Sequence, residues 1–149
     1  MRTIVQRVKE ANVSVEAKEI SSIGEGLLVL LGVGVEDDIK DAEYIASKLV
    51  GLRVFDDEDG VMNLSLEDVN GEILIVSQFT LYGDVRKGRR PSYINSAKGD
   101  VAVDLYEKVC ALVGEKGFDV KKGQFGADMD ISLVNSGPVT IQLDSSKLY

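Results

Sequence analysis

Four consecutive apolar residues, Ile73-Leu-Ile-Val76, run without a break into Ser77-Gln-Phe-Thr80, and few folds can house both halves of that stretch. The unalternated half predicts a strand covered on both faces. Ser77, Gln78 and Thr80 then bring hydroxyl and amide groups that such burial penalises unless they are bonded. The end of this strand is therefore expected to form the floor of a site, with either protein or ligand as the bonding partner. The plainer alternative is a strand end whose hydroxyls bond neighbouring backbone.

The rest of the chain narrows the setting. With 149 residues, 44% of them hydrophobic and 28% charged, the sequence is expected to fold as a single domain over residues 1–149, burying about 70% of its unfolded surface. The longest apolar run, Gly26 to Val35, falls well short of the ~20 residues that span a bilayer. The charged start at Met1-Arg-Thr-Ile-Val-Gln-Arg7 lacks a signal-peptide core, so a cytoplasmic location is expected. One cysteine, Cys110, excludes an internal disulfide, and no cationic partner sits one turn away, which predicts an inert thiol. The net charge of −8 argues against indiscriminate coating of nucleic acid, and neither DNA nor a membrane is expected as a partner. Arg86-Lys-Gly-Arg-Arg90 reverses that balance locally, either as an anion site or as a solvated loop balanced by nearby acids. There is no histidine, which removes Ser-His-Asp and Cys-His catalysis and His-ligated zinc, so hydrolytic chemistry must find its base elsewhere.

Taken in order, Thr3 to Val8 and Ala11 to Ala17 predict a hairpin joined at Lys9-Glu10. Ile20 to Ile23 and Leu27 to Leu31 follow as strands. Gly32-Val-Gly34 predicts a tight turn, because no nucleotide-binding glycine pattern is completed. Asp37 or Asp38 caps a packing helix to about Val50, with Ile39, Ala42, Ile45, Ala46 and Leu49 on one face. Leu52 to Phe55 is expected to be a strand and Asp56 to Gly60 a solvated turn, since the spacing fails as an EF-hand. Met62 to Leu66 is expected to be extended, and a second helix spans about Val101 to Val113 with Leu105, Val109 and Leu112 inward. Asp119 to Lys122, Met129 to Val134 and Val139 to Leu143 complete the strands, and Asp144 to Tyr149 reads as a loose tail. The class is α+β: an antiparallel or mixed β-sheet with a barrel-like core and two packing helices.

Asn135-Ser-Gly-Pro-Val-Thr140 is expected to be a turn between the last two strands, where Gly137 admits close approach and Pro138 removes a donor. Together with Ser77-Gln-Phe-Thr-Leu-Tyr82, this segment resembles the two signature motifs of the D-aminoacyl-tRNA deacylases. The resemblance extends through Met1 to Val8, Gly26 to Gly32, Arg86 to Ser92 and Phe125-Gly-Ala-Asp-Met129, so it covers nearly the whole chain; Gly83 and Gln124 depart from it outside both signatures.

The resemblance implies a homodimer that hydrolyses the ester joining a D-amino acid, or glycine, to tRNA; no cofactor is expected, and no metal either, since the acidic residues show no ligand spacing within a recognised motif. Ser77, Gln78, Phe79 and Thr80 would form the catalytic segment, the N–H groups of Phe79 and Thr80 stabilising the oxyanion. Phe125 and Met129 would pack on the terminal adenine, and Arg86, Lys87, Arg89 and Arg90 would meet the tRNA backbone. A cis Gly137–Pro138 turn from the partner, held by Arg7, would exclude L side chains. Thr80 resembles the family's assigned nucleophile but lacks a base here, which points to assistance from the 2′-hydroxyl of the terminal ribose. The alternative is a dimer that binds the RNA end or a nucleotide without turnover.

Overall fold

The strand expected at 73–76 is β6 (Glu72–Ser77), and its neighbours account for its unalternated pattern. In the computed structural model, which describes residues 1–148, it follows β1 (Arg2–Val15), β2 (Lys18–Ile23), β3 (Gly26–Gly32), α1 (Ile39–Gly51), β4 (Phe55–Asp56) and β5 (Met62–Leu64). After it come a 3-10 turn (Phe79–Tyr82), α2 (Gly99–Gly114), β7 (Val120–Lys122) and β8 (Asp130–Asp144). β6 pairs in parallel with β3 on one side and β7 on the other, while β1 pairs antiparallel with β2, β3 and β8. The sheet is mixed, as expected, and it curls until β2 lies against β6 and β7, so that it closes nearly into a barrel.

Two apolar clusters fill opposite sides of β3 and β6. Leu27, Val29, Leu31, Ile73 and Ile75 pack with Ala42, Ile45 and Leu49 of α1 and Tyr106, Val109 and Val113 of α2. Leu28, Leu74 and Val76 face the inside of the curl, against Val8, Ala11, Val13 and Ile23. Every residue from Ile73 to Val76 is thus enclosed, each contributing about 1.5–3 kcal/mol of burial.

Several local expectations are corrected. Thr3 to Ala17 is not a hairpin turning at Lys9-Glu10; β1 runs straight through both residues. They mark a bulge, because Val8 faces Asn135 and Glu10 faces Val134, leaving Lys9 unmatched. The hairpin turn falls at Glu16-Ala17, with φ values of 50° and 62°. Such a two-residue turn favours Asn or Gly, which is why these residues gave no turn signal.

The expected turn at 135–140 is likewise not a break. β8 is continuous, and Ser136 to Val139 bulge out opposite the single residue Arg7, between the Gln6–Thr140 and Val8–Asn135 pairs. Leu52 to Phe55 yields only the short β4, which begins at Phe55, and the Val54 carbonyl just before it accepts from the Arg7 guanidinium (2.6 Å). Asp38, rather than Asp37, caps α1, and Asp41 completes the box by accepting from the Asp38 N–H at 2.8 Å. In that helix Ala42, Ile45, Ala46 and Leu49 are buried but Ile39 is exposed.

In α2 the inward face is Ala102, Tyr106, Val109, Cys110 and Val113; Leu105 and Leu112 flank it half-buried. Burial pushes the Cys110 thiol up to about 11. The tail is anchored at its start: Asp144 is buried against Arg2 (2.9 Å), and the Ser145 N–H donates to the Met1 carbonyl. Tyr149 lies outside the described residues. No helix among those residues is long and apolar enough to cross a membrane.

Candidate functional site

The C-terminal ends of the parallel strands β3 and β6 open into a cleft of about 660 Å³. Ligands in sheets of this kind commonly bind at such strand ends. Ser77 closes β6 at the floor, and the Gln78 N–H donates to the Leu31 carbonyl at 2.8 Å, so the last sheet bond is made just before the chain turns. Two of the polar groups that burial would have penalised satisfy each other: the Gln78 side-chain amide donates to the Thr80 hydroxyl.

Phe79 begins the 3-10 turn and stays 56% exposed, its ring edge-on to Tyr93 at 5.0 Å. Within the turn, the Leu81 N–H donates to the Gln78 carbonyl (3.3 Å) and the Gly83 N–H to the Thr80 carbonyl (2.9 Å). The N–H groups of Phe79 and Thr80 come first and therefore have no acceptor in the turn. They supply two donors at the cleft wall.

The opposite wall comes from the segment between β7 and β8. Phe125 and Met129 line the same cleft as Ser77, Gln78, Phe79 and Thr80, so the structure brings together six residues expected from sequence. Phe125 rests on Tyr106 at 5.6 Å, and the Tyr106 hydroxyl donates to the Ile75 carbonyl at 2.8 Å. Sequence reasoning missed Tyr93, Ser96 and Lys98, which also line the cleft. They fall in the Ser92–Asp100 segment, whose residues follow no period that would aim them at a site.

Arg7, Gly137 and Pro138 do not line this cleft. Gly137 and Pro138 are exposed on the β8 bulge, and the peptide between them is cis. Beneath the bulge, Arg7 donates to the Ser136 carbonyl (3.3 Å) and the Val54 carbonyl (2.6 Å) and pairs with Asp56 at 3.3 Å. Asn135 braces the other side, donating to the carbonyls of Arg7 (3.0 Å) and Val139 (2.9 Å).

The basic loop lies outside the cleft. Arg86 is committed to Asp84 through two bonds, at 2.9 and 2.7 Å, which hold the Asp84 carboxyl down at about 2. Lys87, Arg89 and Arg90 are exposed and pair with no carboxylate among the described residues.

Comparison with known proteins bears on what this arrangement does. A curated relative from Thermosipho africanus, "D-aminoacyl-tRNA deacylase", is 58% identical over the whole of both chains. One of the same name from Bacillus velezensis is 56% identical over 99% of this chain and all of the relative. A solved structure named "c-Myc DNA Unwinding Element Binding Protein" shares 40% identity and a TM-score of 0.90, covering 97% of this chain and 98% of its own. Another, "Structural Analysis of a probable eukaryotic D-amino acid tRNA deacylase", matches in fold with a TM-score of 0.79 at 21% identity, covering 95% of this chain and 97% of its own. The family model described as "D-Tyr-tRNA(Tyr) deacylase" matches residues 4–144, taking in the cleft and the β8 bulge alike, and the chain belongs to that family.

Proposed function

We propose that this enzyme works as a homodimer in the cytoplasm, hydrolysing the ester between a D-amino acid and the terminal ribose of tRNA and releasing free amino acid and tRNA. The observation that carries the proposal is the pair of uncommitted N–H groups at Phe79 and Thr80 on the wall of a cleft large enough for an aminoacylated nucleoside. Backbone donors held in place in this way stabilise the oxyanion of ester cleavage. Phe125 and Met129 offer the adenine an apolar face, and Gln78 orients the Thr80 hydroxyl.

Chirality is sensed by exclusion. The exposed bulge of one subunit enters the partner's cleft, where the main-chain oxygens of its own Gly137 and Pro138 leave no room for an L side chain. Glycine, with no side chain to exclude, passes the same filter, so glycyl-tRNA formed on tRNA-Ala is a second substrate. Dimerisation also suits the edge strand β8, whose Ile131, Leu133, Val139, Ile141 and Leu143 are only half-buried in the single chain. The test is multiple-turnover release from D-Tyr-tRNA and L-Tyr-tRNA. Cleavage of the D-ester alone is the expected result, whereas stoichiometric binding without release would leave only a binding dimer.

Lys87, Arg89 and Arg90 meet the tRNA backbone. Replacing all three with alanine is expected to raise KM about tenfold or more at low salt and to lower the slope of log KM against log salt by about 2, at roughly 0.7–0.9 per cation lost. The kcat should hold. Arg86→Ala should matter less, since its charge is already offset by Asp84.

A further inference from the structure

The spacing of Gly32 and Gly34 predicts a tight turn, and the Asp37 N–H does bond back to the Gly34 carbonyl at 3.3 Å. A turn does not explain why both positions must lack a side chain. A Cβ at Gly34 would lie 2.6 Å from the Tyr82 hydroxyl oxygen, and one at Gly32 would lie 2.9 Å from the Gln78 carbonyl oxygen and 3.3 Å from the Tyr82 ring. The end of β3 is a bare seat for Tyr82, the last residue of the turn whose first two N–H groups have no acceptor within it.

Around that seat the side chains form a closed set. The Tyr82 hydroxyl donates to Asp37 Oδ2 at 3.2 Å, and the Gly34 N–H donates to the same oxygen at 2.5 Å. Asp37 Oδ1 accepts from the Met1 ammonium at 2.6 Å. The Arg2 guanidinium lies 4.6 Å from the Tyr82 ring centroid, donates to the Leu81 carbonyl at 3.3 Å and pairs with buried Asp144 at 2.9 Å. Leu81 and Tyr82, half of a four-residue turn, are thus gripped by groups from β1, β8 and the loop leading into α1.

We propose that Asp37, Tyr82 and Arg2 are positioning residues for the deacylase reaction, clamping the end of the 79–82 turn so that the N–H groups of Phe79 and Thr80 stay aimed at the developing oxyanion. The inference rests on the role proposed above for those two N–H groups. A four-residue 3-10 turn has too few bonds of its own to hold such an aim. Donors displaced by an ångström lose most of their effect on the transition state, though they need not weaken ground-state binding. Burial and the Asp37 carboxylate push the Tyr82 phenol above its ordinary value, so it remains a donor throughout the neutral range.

The test compares steady-state kinetics on D-Tyr-tRNA for wild type, Tyr82→Phe, Asp37→Asn and Gly34→Ala, with Ile45→Val on the buried face of α1 as a control that lowers stability without touching the site. Tyr82→Phe keeps the ring on its seat and loses only the bond to Asp37; kcat should fall about tenfold with KM within about twofold of wild type. Asp37→Asn should fall similarly, and Gly34→Ala, which must shift the ring, about 100-fold. Should Gly34→Ala fail to fold, Tyr82→Phe alone decides. The clamp is overturned if Tyr82→Phe lowers Tm but keeps kcat, if its loss appears in KM instead, or if Ile45→Val loses kcat to the same extent. A wild-type protein that releases no D-tyrosine would overturn the deacylase role and the clamp with it, whereas active wild type with undiminished Tyr82→Phe overturns the clamp alone.

Discussion

Gly137→Ala is expected to lower kcat/KM on D-Tyr-tRNA by about 100-fold and to erode the preference for D- over L-Tyr-tRNA, because even an ångström of displacement at such a site is costly. Gly137 has φ at 115°, a backbone region L side chains rarely adopt. An added Cβ would also sit 2.8 Å from the Val139 side chain and 2.9 Å from Arg7 Nη2. Arg7 is the post on which the bulge stands, through Ser136, Val54 and Asp56, so the methyl group would move the support and the supported oxygens together. In the proposed dimer each cleft would be affected through the bulge of the other subunit. Single-turnover hydrolysis of the two esters reads the result directly; a variant that still cleaves the D-ester at wild-type rate and still spares the L-ester would show that this bulge is not the filter.

The second large effect concerns the base. A substrate whose tRNA ends in 2′-deoxyadenosine, charged at the 3′ position, is expected to be cleaved about 10²–10⁴-fold more slowly than its ribose counterpart, the usual contribution of a positioned general base. The chain has no histidine, and within the cleft the Thr80 hydroxyl meets only the Gln78 amide, which donates to it and can take no proton from it. In the reading proposed here the substrate's own 2′-hydroxyl helps activate water, while the protein supplies orientation and the two N–H groups. Thr80→Ala should then retain activity within about tenfold, since the backbone donors remain. Undiminished cleavage of the deoxy ester would rule out assistance by the ribose.

Much of the cleft's lining is legible in the sequence. Ser77 to Thr80, Phe125 and Met129 all reach the one cleft. Gly137 and Pro138 do stand out from the sheet on a bulge braced by Arg7. Tyr93, Ser96 and Lys98 were not legible, because nothing in their spacing separates a cleft lining from an ordinary loop. For the basic loop the sequence left an anion site and a loop balanced by nearby acids both open; at Arg86 the balancing acid is Asp84, two residues away in a loop whose geometry the sequence does not state.

The sequence by itself determined what depends on near neighbours: the doubly buried strand at 73–76, the face of α1 at Ala42, Ile45, Ala46 and Leu49, and the missing histidine. Periodicity and composition act within one strand or a few helical turns, so they survive without a fold. The tertiary structure decided which strand each backbone group pairs with. That pairing turned Lys9 and the 136–139 segment into bulges, moved the hairpin to Glu16-Ala17, and laid Tyr82 on Gly32 and Gly34. Register and close approach are set by partners tens of residues away, and no local pattern encodes where those partners will stand.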